Sequence, residues 1–195
     1  MCDFTRRQTQ DLALSDLAND RGVFAGTKDK RKQYGADLVF LFRPLYAKTH
    51  GSCGTTYVGF ANGSAANKAT GYGTISDGTA QDNSPGYFCE INTATHEIGH
   101  SFGLVHDREY SSNPGAYSYS YAWGIQGKFG TIMSYKTPVV MVFSTPKLTS
   151  QCASGVCGYD ETDKTQSSDQ VKSANLTLPK IAAYLPTTTT TPTIK

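Results

Sequence analysis

No stretch of this 195-residue chain approaches the roughly 20 consecutive apolar residues that a helix needs to cross a bilayer, so no membrane partner is expected. Charge of neither sign dominates: 18 basic and 16 acidic residues leave a net charge of +2. The basic residues are scattered, with no stripe interleaved with aromatics, and nucleic-acid binding gets no support. The opening residues do not read as a secretory leader, and a signal and any pro-segment are expected to lie outside this sequence. Cysteines are few and odd in number, five in all, and their spacing matches no zinc knuckle. Tryptophan occurs once, at Trp123, and histidine four times. A hydrophobic content of 38% at this length suits one compact domain with its own core and is too little chain for two large ones.

The scarce histidines are not spread evenly. Three of the four fall in the stretch Thr95-His96-Glu97-Ile98-Gly99-His100-Ser101-Phe102-Gly103-Leu104-Val105-His106-Asp107. Positions i and i+4 share a helix face, so His96 and His100 can aim both rings at one ion. Glu97 sits beside the first of them, near enough to take a proton from a bound water without being a ligand itself. Gly103 can adopt positive φ, which lets the helix stop and the chain bend back so that His106 becomes the third ligand. Three neutral nitrogen donors leave the fourth position of a tetrahedral zinc open, the mark of a catalytic rather than a structural site. The competing reading is an amphipathic helix that carries histidines by chance. His96, Glu97 and His100 alone leave the two readings level, and Gly103, His106 and the later Met133 decide for the metal.

His96-Glu97-x-x-His100-x-x-Gly103-x-x-His106, followed by Thr131-Ile132-Met133-Ser134-Tyr135, resembles the metzincin metallopeptidases. Asp107 after the third histidine resembles the reprolysin (adamalysin) branch, and in particular the bacterial reprolysin-like and peptidyl-Asp metalloendopeptidases. The likeness runs from about Gly35 to Tyr184. It implies an α/β fold, of the α+β kind. Expected are a twisted mixed sheet with an edge strand over the cleft, a zinc-binding helix, and an irregular C-terminal part with a Met-turn and a closing helix. Met133 would form an apolar floor beneath the imidazoles. Tyr135 stands where related enzymes carry a tyrosine able to reach the metal or an oxyanion, with a structural tyrosine as the alternative. Asp107 and Gly103 would support the turn after the ligands. Gly54-Thr55-Thr56-Tyr57-Val58-Gly59-Phe60 would be the edge strand that pairs with extended substrate. Lys136 to Pro146 would form the outer wall of the pocket beyond the scissile bond, with Val140, Val142 and Phe143 as an apolar lining. A Lys136 facing that pocket would favour an acidic residue after the cut; a solvent-facing Lys136 is the preferred expectation. The family places a strand, a helix and another strand before this point, whereas 34 residues precede Gly35, so a missing strand and a bare sheet edge are expected.

The remaining residues add a coarser frame. Arg6 to Asn19 suggests a short amphipathic helix through Leu12, Leu14 and Leu17, and Lys28 to Lys32 a solvated charged run. Ala36 to Phe42 is an apolar run ended by Pro44, which reads as a central strand buried on both faces. Tyr72 to Ser76 reads as a short strand and Asp77 to Pro85 as loop. Tyr117, Tyr119, Tyr121 and Trp123 are expected to pack. Asp160, Glu161 and Asp163 offer hard oxygen ligands for calcium, although an exposed acidic loop is preferred. Ser168 to Tyr184 should be a helix kinked or interrupted by Pro179. The expected disulfides are Cys53 with Cys89 and Cys152 with Cys157, leaving Cys2 as a free thiol or one whose partner lies upstream. A catalytic domain over 1–185 and a threonine-rich linker over 186–195 follow, the latter leading to a removed domain. The expected function is a secreted, monomeric zinc metalloendopeptidase acting on protein and peptide substrates. The alternatives are a zinc-stabilised module that binds peptide without cutting it and a disulfide-held structural module.

Overall fold

A computed structural model describes residues 8–153 and 155–186, which divide into two compact units. Cys2, the first residues of the expected amino-terminal helix and most of the threonine-rich tail lie outside the described residues.

The first unit comprises 8–57, 68–97 and 182–186 of the described chain. Helix α1 (Gln10–Ala18) starts at Thr9, whose side chain accepts a bond from Leu12 N, and it buries Ala13, Leu14 and Leu17 while Leu12 faces solvent. Helix α2 (Thr27–Tyr34) absorbs the charged run between Gly26 and Gly35, both in the left-handed region. Arg31 is not solvated as expected: it is buried, with its guanidinium donating to the carbonyls of Ala36, Asp37 and Lys68 and lying over the Tyr72 ring.

Strand β1 (Val39–Pro44) pairs in parallel with β3 (Tyr72–Thr79), and β2 (Gly54–Thr56) pairs antiparallel on the other side of β3. Short α3 (Ala47–His50) connects β1 to β2, and β4 (Phe88–Cys89) pairs antiparallel with the end of β3. The central strand is therefore β3, buried from Tyr72 to Ser76, and it extends three residues into the expected loop. The expectation that Ala36–Phe42 is central and buried on both faces is overturned. Among the described residues β1 is an edge, mostly half-buried, with Phe42 59% exposed. An apolar run cannot distinguish a central strand from an edge that rests on a helix layer, and here α1 supplies Leu14 and Leu17 to a cluster with Phe24 and Tyr72, against which Val39 and Leu41 pack. Residues 8–38 form two α-helices, a short 3-10 helix and no strand, so no described strand covers the outer edge of β1.

Helix α4 (Thr93–Ser101) runs on from the first unit without a break. The second unit comprises 58–67 and 98–181 and contains little regular structure besides the two-residue strands β5 (Gly124–Ile125) and β6 (Phe129–Gly130) and helix α5 (Gln170–Ile181). One core cluster holds Leu104, Ala122, Ile132, Met133 and Ala174 with Phe143 against it. Another holds Phe129 and the Cys152–Cys157 disulfide, with Trp123, Val140 and Val142 packed on it. Val140, Val142 and Phe143 are thus partly buried against these clusters. Tyr119 and Tyr121 are buried, Tyr117 stacks on Tyr119, and Trp123 stands edge-on to Tyr159.

Pro179 does not interrupt α5, because it falls in the last turn and the helix ends two residues later. The buried face of α5 leaves out Leu176 and Leu178, which are exposed. It consists of Gln170, Ser173, Ala174, Thr177 and Ile181. Gln170 Nε2 donates to the carbonyls of Val105 and Ser120, Ser173 pairs with Ser120 Oγ, and Thr177 donates to the Phe102 carbonyl. Buried loop carbonyls need partners, and in a unit with so little sheet these side chains supply them.

Candidate metal centre and active site

The centre is built on α4 and the turn that ends it. Asn92 O accepts the first intrahelical bond, from His96 N. His96, Glu97 and His100 follow on the helix, which closes with Leu104 N bonded to Gly99 O and Gly103 N to His100 O. That pair of bonds, with Gly103 at φ +78, is a Schellman cap. A Cβ on Gly103 would lie 2.6 Å from Gly59 O and 2.7 Å from Ala116 Cβ, so both the backbone angle and the space demand glycine. Val105 then bonds Ser120 and Ala122, which turns His106 back toward the helix.

The ligand atoms of His96, His100 and His106 all lie within 4.8 Å of one another, a group able to hold a metal ion. His100 Nδ1 is 2.9 Å from the Leu104 carbonyl. A carbonyl only accepts, so Nδ1 carries the proton and Nε2 the lone pair that a metal requires. The rings of His100 and His106 meet edge to face at 4.8 Å. Tyr135, half exposed, lies over the His106 ring at 4.1 Å and meets Tyr110 edge-on.

Beneath the helix, Met133 is fully buried, and a Cβ on Gly99 would come 2.6 Å from its Sδ. Asp107 is buried and accepts two bonds at 2.9 Å, from Ser134 Oγ to Oδ1 and from Tyr135 N to Oδ2. One carboxylate therefore ties the residue after the third histidine to the segment that carries Met133 and Tyr135.

Glu97 is 6% exposed, and burial pushes its carboxyl up to about 7, opposed by a hydrogen bond from Thr56 Oγ1 to Oε2 at 2.8 Å. Strand β2 covers Glu97 closely. Of the residues expected to pair with substrate, Gly54, Thr55 and Thr56 form β2 at the sheet edge, while Tyr57 lies past its end and packs against the Leu14, Leu17 and Tyr72 cluster. Nothing in the spacing of Thr56 and Glu97, 41 residues apart, signals their contact.

Lys136 does not face solvent. Its side chain is 15% exposed and its ammonium pairs with Glu109, near the Tyr110 ring. Both residues of the pair line a cavity of about 250 Å³ together with Asp107, Arg108 and Trp123. The calcium expectation is not supported. Asp160 and Asp163 accept local N–H groups of Thr162, Thr165 and Gln166, Glu161 pairs with Lys172, and among the described residues only the three histidines converge as a ligand group. Both expected disulfides form, Cys53 with Cys89 and Cys152 with Cys157.

Residues 1–163 match the family described as metallo-peptidase family M12B, reprolysin-like. The chain belongs to that family. This reprolysin-like metallopeptidase is also 31% identical, over 175 residues, to the peptidyl-Asp metalloendopeptidase of Pseudomonas aeruginosa, with 80% of this chain and 28% of that protein covered. It shares its fold with a solved structure described as that of a chaperone–substrate complex, at a TM-score of 0.63 and 23% identity, over 91% of this chain and 28% of the other. The reprolysin-like chain thus spans little more than a quarter of the length of either.

Proposed function

We propose that this chain is the catalytic part of a secreted zinc metalloendopeptidase. The convergence of His96, His100 and His106 within 4.8 Å, with buried Glu97 on the same helix, carries the reading. Three imidazole nitrogens are a donor set that suits zinc. When bound, zinc supplies Lewis acidity to a water and to the scissile carbonyl. Glu97 takes the proton of the attacking water and later hands it to the leaving amine nitrogen. Burial raises the Glu97 carboxyl above the ordinary carboxylate range, in the direction that favours a group able to accept and return a proton. Asp107 holds the turn that presents His106, Met133 supports the helix from below, and the Tyr135 ring steadies His106 by tilted ring contact.

Among the described residues β2 pairs only with β3, and its other edge supports pairing with an extended peptide. The name of the Pseudomonas relative directs attention to aspartate beside the scissile bond. Lys136 is the cation suited to receive it, by exchanging Glu109 for a substrate carboxylate in the cavity they share. Two disulfides support an oxidising compartment.

The deciding experiment is digestion of a denatured protein mixture with metal analysis of the same sample and Glu97→Gln as control, all cuts being mapped by mass spectrometry. Cuts that vanish in Glu97→Gln, with about one zinc per chain in both proteins, are expected from this site. Zinc without cutting in the unaltered protein would replace the peptidase with a zinc-stabilised peptide-binding module.

A further inference from the structure

We propose that Thr56 positions the Glu97 carboxylate, so that β2 serves catalysis through a side chain as well as through its free edge. This rests on the peptidase reading above. Alternation along β2 puts Gly54 and Thr56 on one face. Thr56 Oγ1 donates to Glu97 Oε2 at 2.8 Å. A Cβ at Gly54 would lie 2.5 Å from Glu97 Cγ and 2.6 Å from Oε1, so only glycine admits the carboxylate there.

The shaping continues one strand further. Gly73 of β3 stands directly opposite Thr56 in the ladder, and a Cβ on it would lie 2.6 Å from Thr56 Oγ1. Three positions on two strands are thus fitted to one carboxylate. With Oε2 held by the hydroxyl and the carboxylate packed against Gly54, the group is kept in one orientation. A base held in one orientation avoids the loss in rate that a misplaced group incurs. Thr56 touches no reacting atom and is a positioning residue.

The test uses Thr56→Val, which removes the hydroxyl at nearly constant shape, and Thr56→Ser, which keeps it. The substrate is a quenched-fluorescent peptide built around a cut mapped in denatured casein, with zinc content measured for each protein. Thr56→Val should lower kcat about tenfold or more with KM and zinc unchanged, and Thr56→Ser should return kcat to within about threefold of the unaltered protein. An unchanged kcat in Thr56→Val overturns the proposal. So does a raised KM with kcat intact, which would make Thr56 a substrate contact.

A second readout does not depend on activity. In the metal-free protein, urea unfolding of Thr56→Val, Glu97→Ala and the double variant should give non-additive midpoint shifts, and additive shifts overturn the contact. If the zinc-loaded unaltered protein cuts nothing, the peptidase reading fails while this cycle still decides whether Thr56 holds Glu97.

Discussion

Gly103→Ala tests whether the turn that carries the third histidine is held by sterics as tightly as the structure requires. Two costs combine at this position. An alanine at φ +78 costs about 1–2 kcal/mol because its Cβ crowds the following carbonyl. The same Cβ would lie 2.6 Å from Gly59 O and 2.7 Å from Ala116 Cβ, and relieving such overpacking costs about 1–3 kcal/mol more. Gly127→Ala is the matched control: φ there is +77, but nothing lies within 4 Å of the added carbon, so only the first cost applies. For a chain of this length each kcal/mol lowers the melting midpoint by roughly 2–4 °C. Differential scanning calorimetry should therefore show Gly103→Ala melting about 4–20 °C below the unaltered protein and Gly127→Ala only about 2–8 °C below it, with Gly103→Ala the lower of the two. Zinc affinity, measured by competition with a chromophoric chelator, should fall in Gly103→Ala alone, because His106 follows that turn. Equal midpoints for the two variants would refute the steric account.

Glu97 gives a pH-dependent signature in the metal-free protein. Its folded pKa is raised from 4.5 to about 7, so the folded state binds the proton more tightly and stability falls as pH rises from below 4.5 through about 7. Urea unfolding should show that loss, at most roughly 3 kcal/mol, and Glu97→Gln should abolish it; identical pH profiles would contradict burial as the cause. Glu109→Gln should release Lys136 and raise cutting beside acidic residues several-fold, whereas Lys136→Met should remove the preference, both read from mapped cut sites. Replacing Cys53 and Cys89 together by alanine opens a loop of 36 residues and should cost about 3–4 kcal/mol in urea unfolding, with a loss below about 1 kcal/mol counting against an unstrained bridge.

The metal centre was legible because its determinants are local. Helical periodicity brings His96 and His100 together, and a glycine at the one position needing positive φ returns His106, so 11 consecutive residues define the ligand geometry. Disulfide pairing was legible for a different reason, since five cysteines leave few partners to choose from. The strand layout was less so: the run ending at Phe42 has the composition of a buried strand, yet it forms an edge among the described residues because a helix, not a further strand, completes its packing. The contact of Thr56 with Glu97 and the polar face of α5 were illegible. Both join residues far apart in sequence through single hydrogen bonds, and a threonine or glutamine carries no periodic mark that separates such a role from solvent exposure.

That polar face has a thermal consequence. In the second unit the irregular chain is satisfied by directed bonds from Gln170, Ser173 and Thr177, beside the hydrocarbon burial of its core clusters. Opening such contacts hydrates polar groups, which lowers the heat capacity of the unfolded chain, whereas hydrocarbon exposure raises it. The α5 contacts therefore flatten the dependence of stability on temperature, and their strength persists in the cold, where hydrocarbon burial weakens.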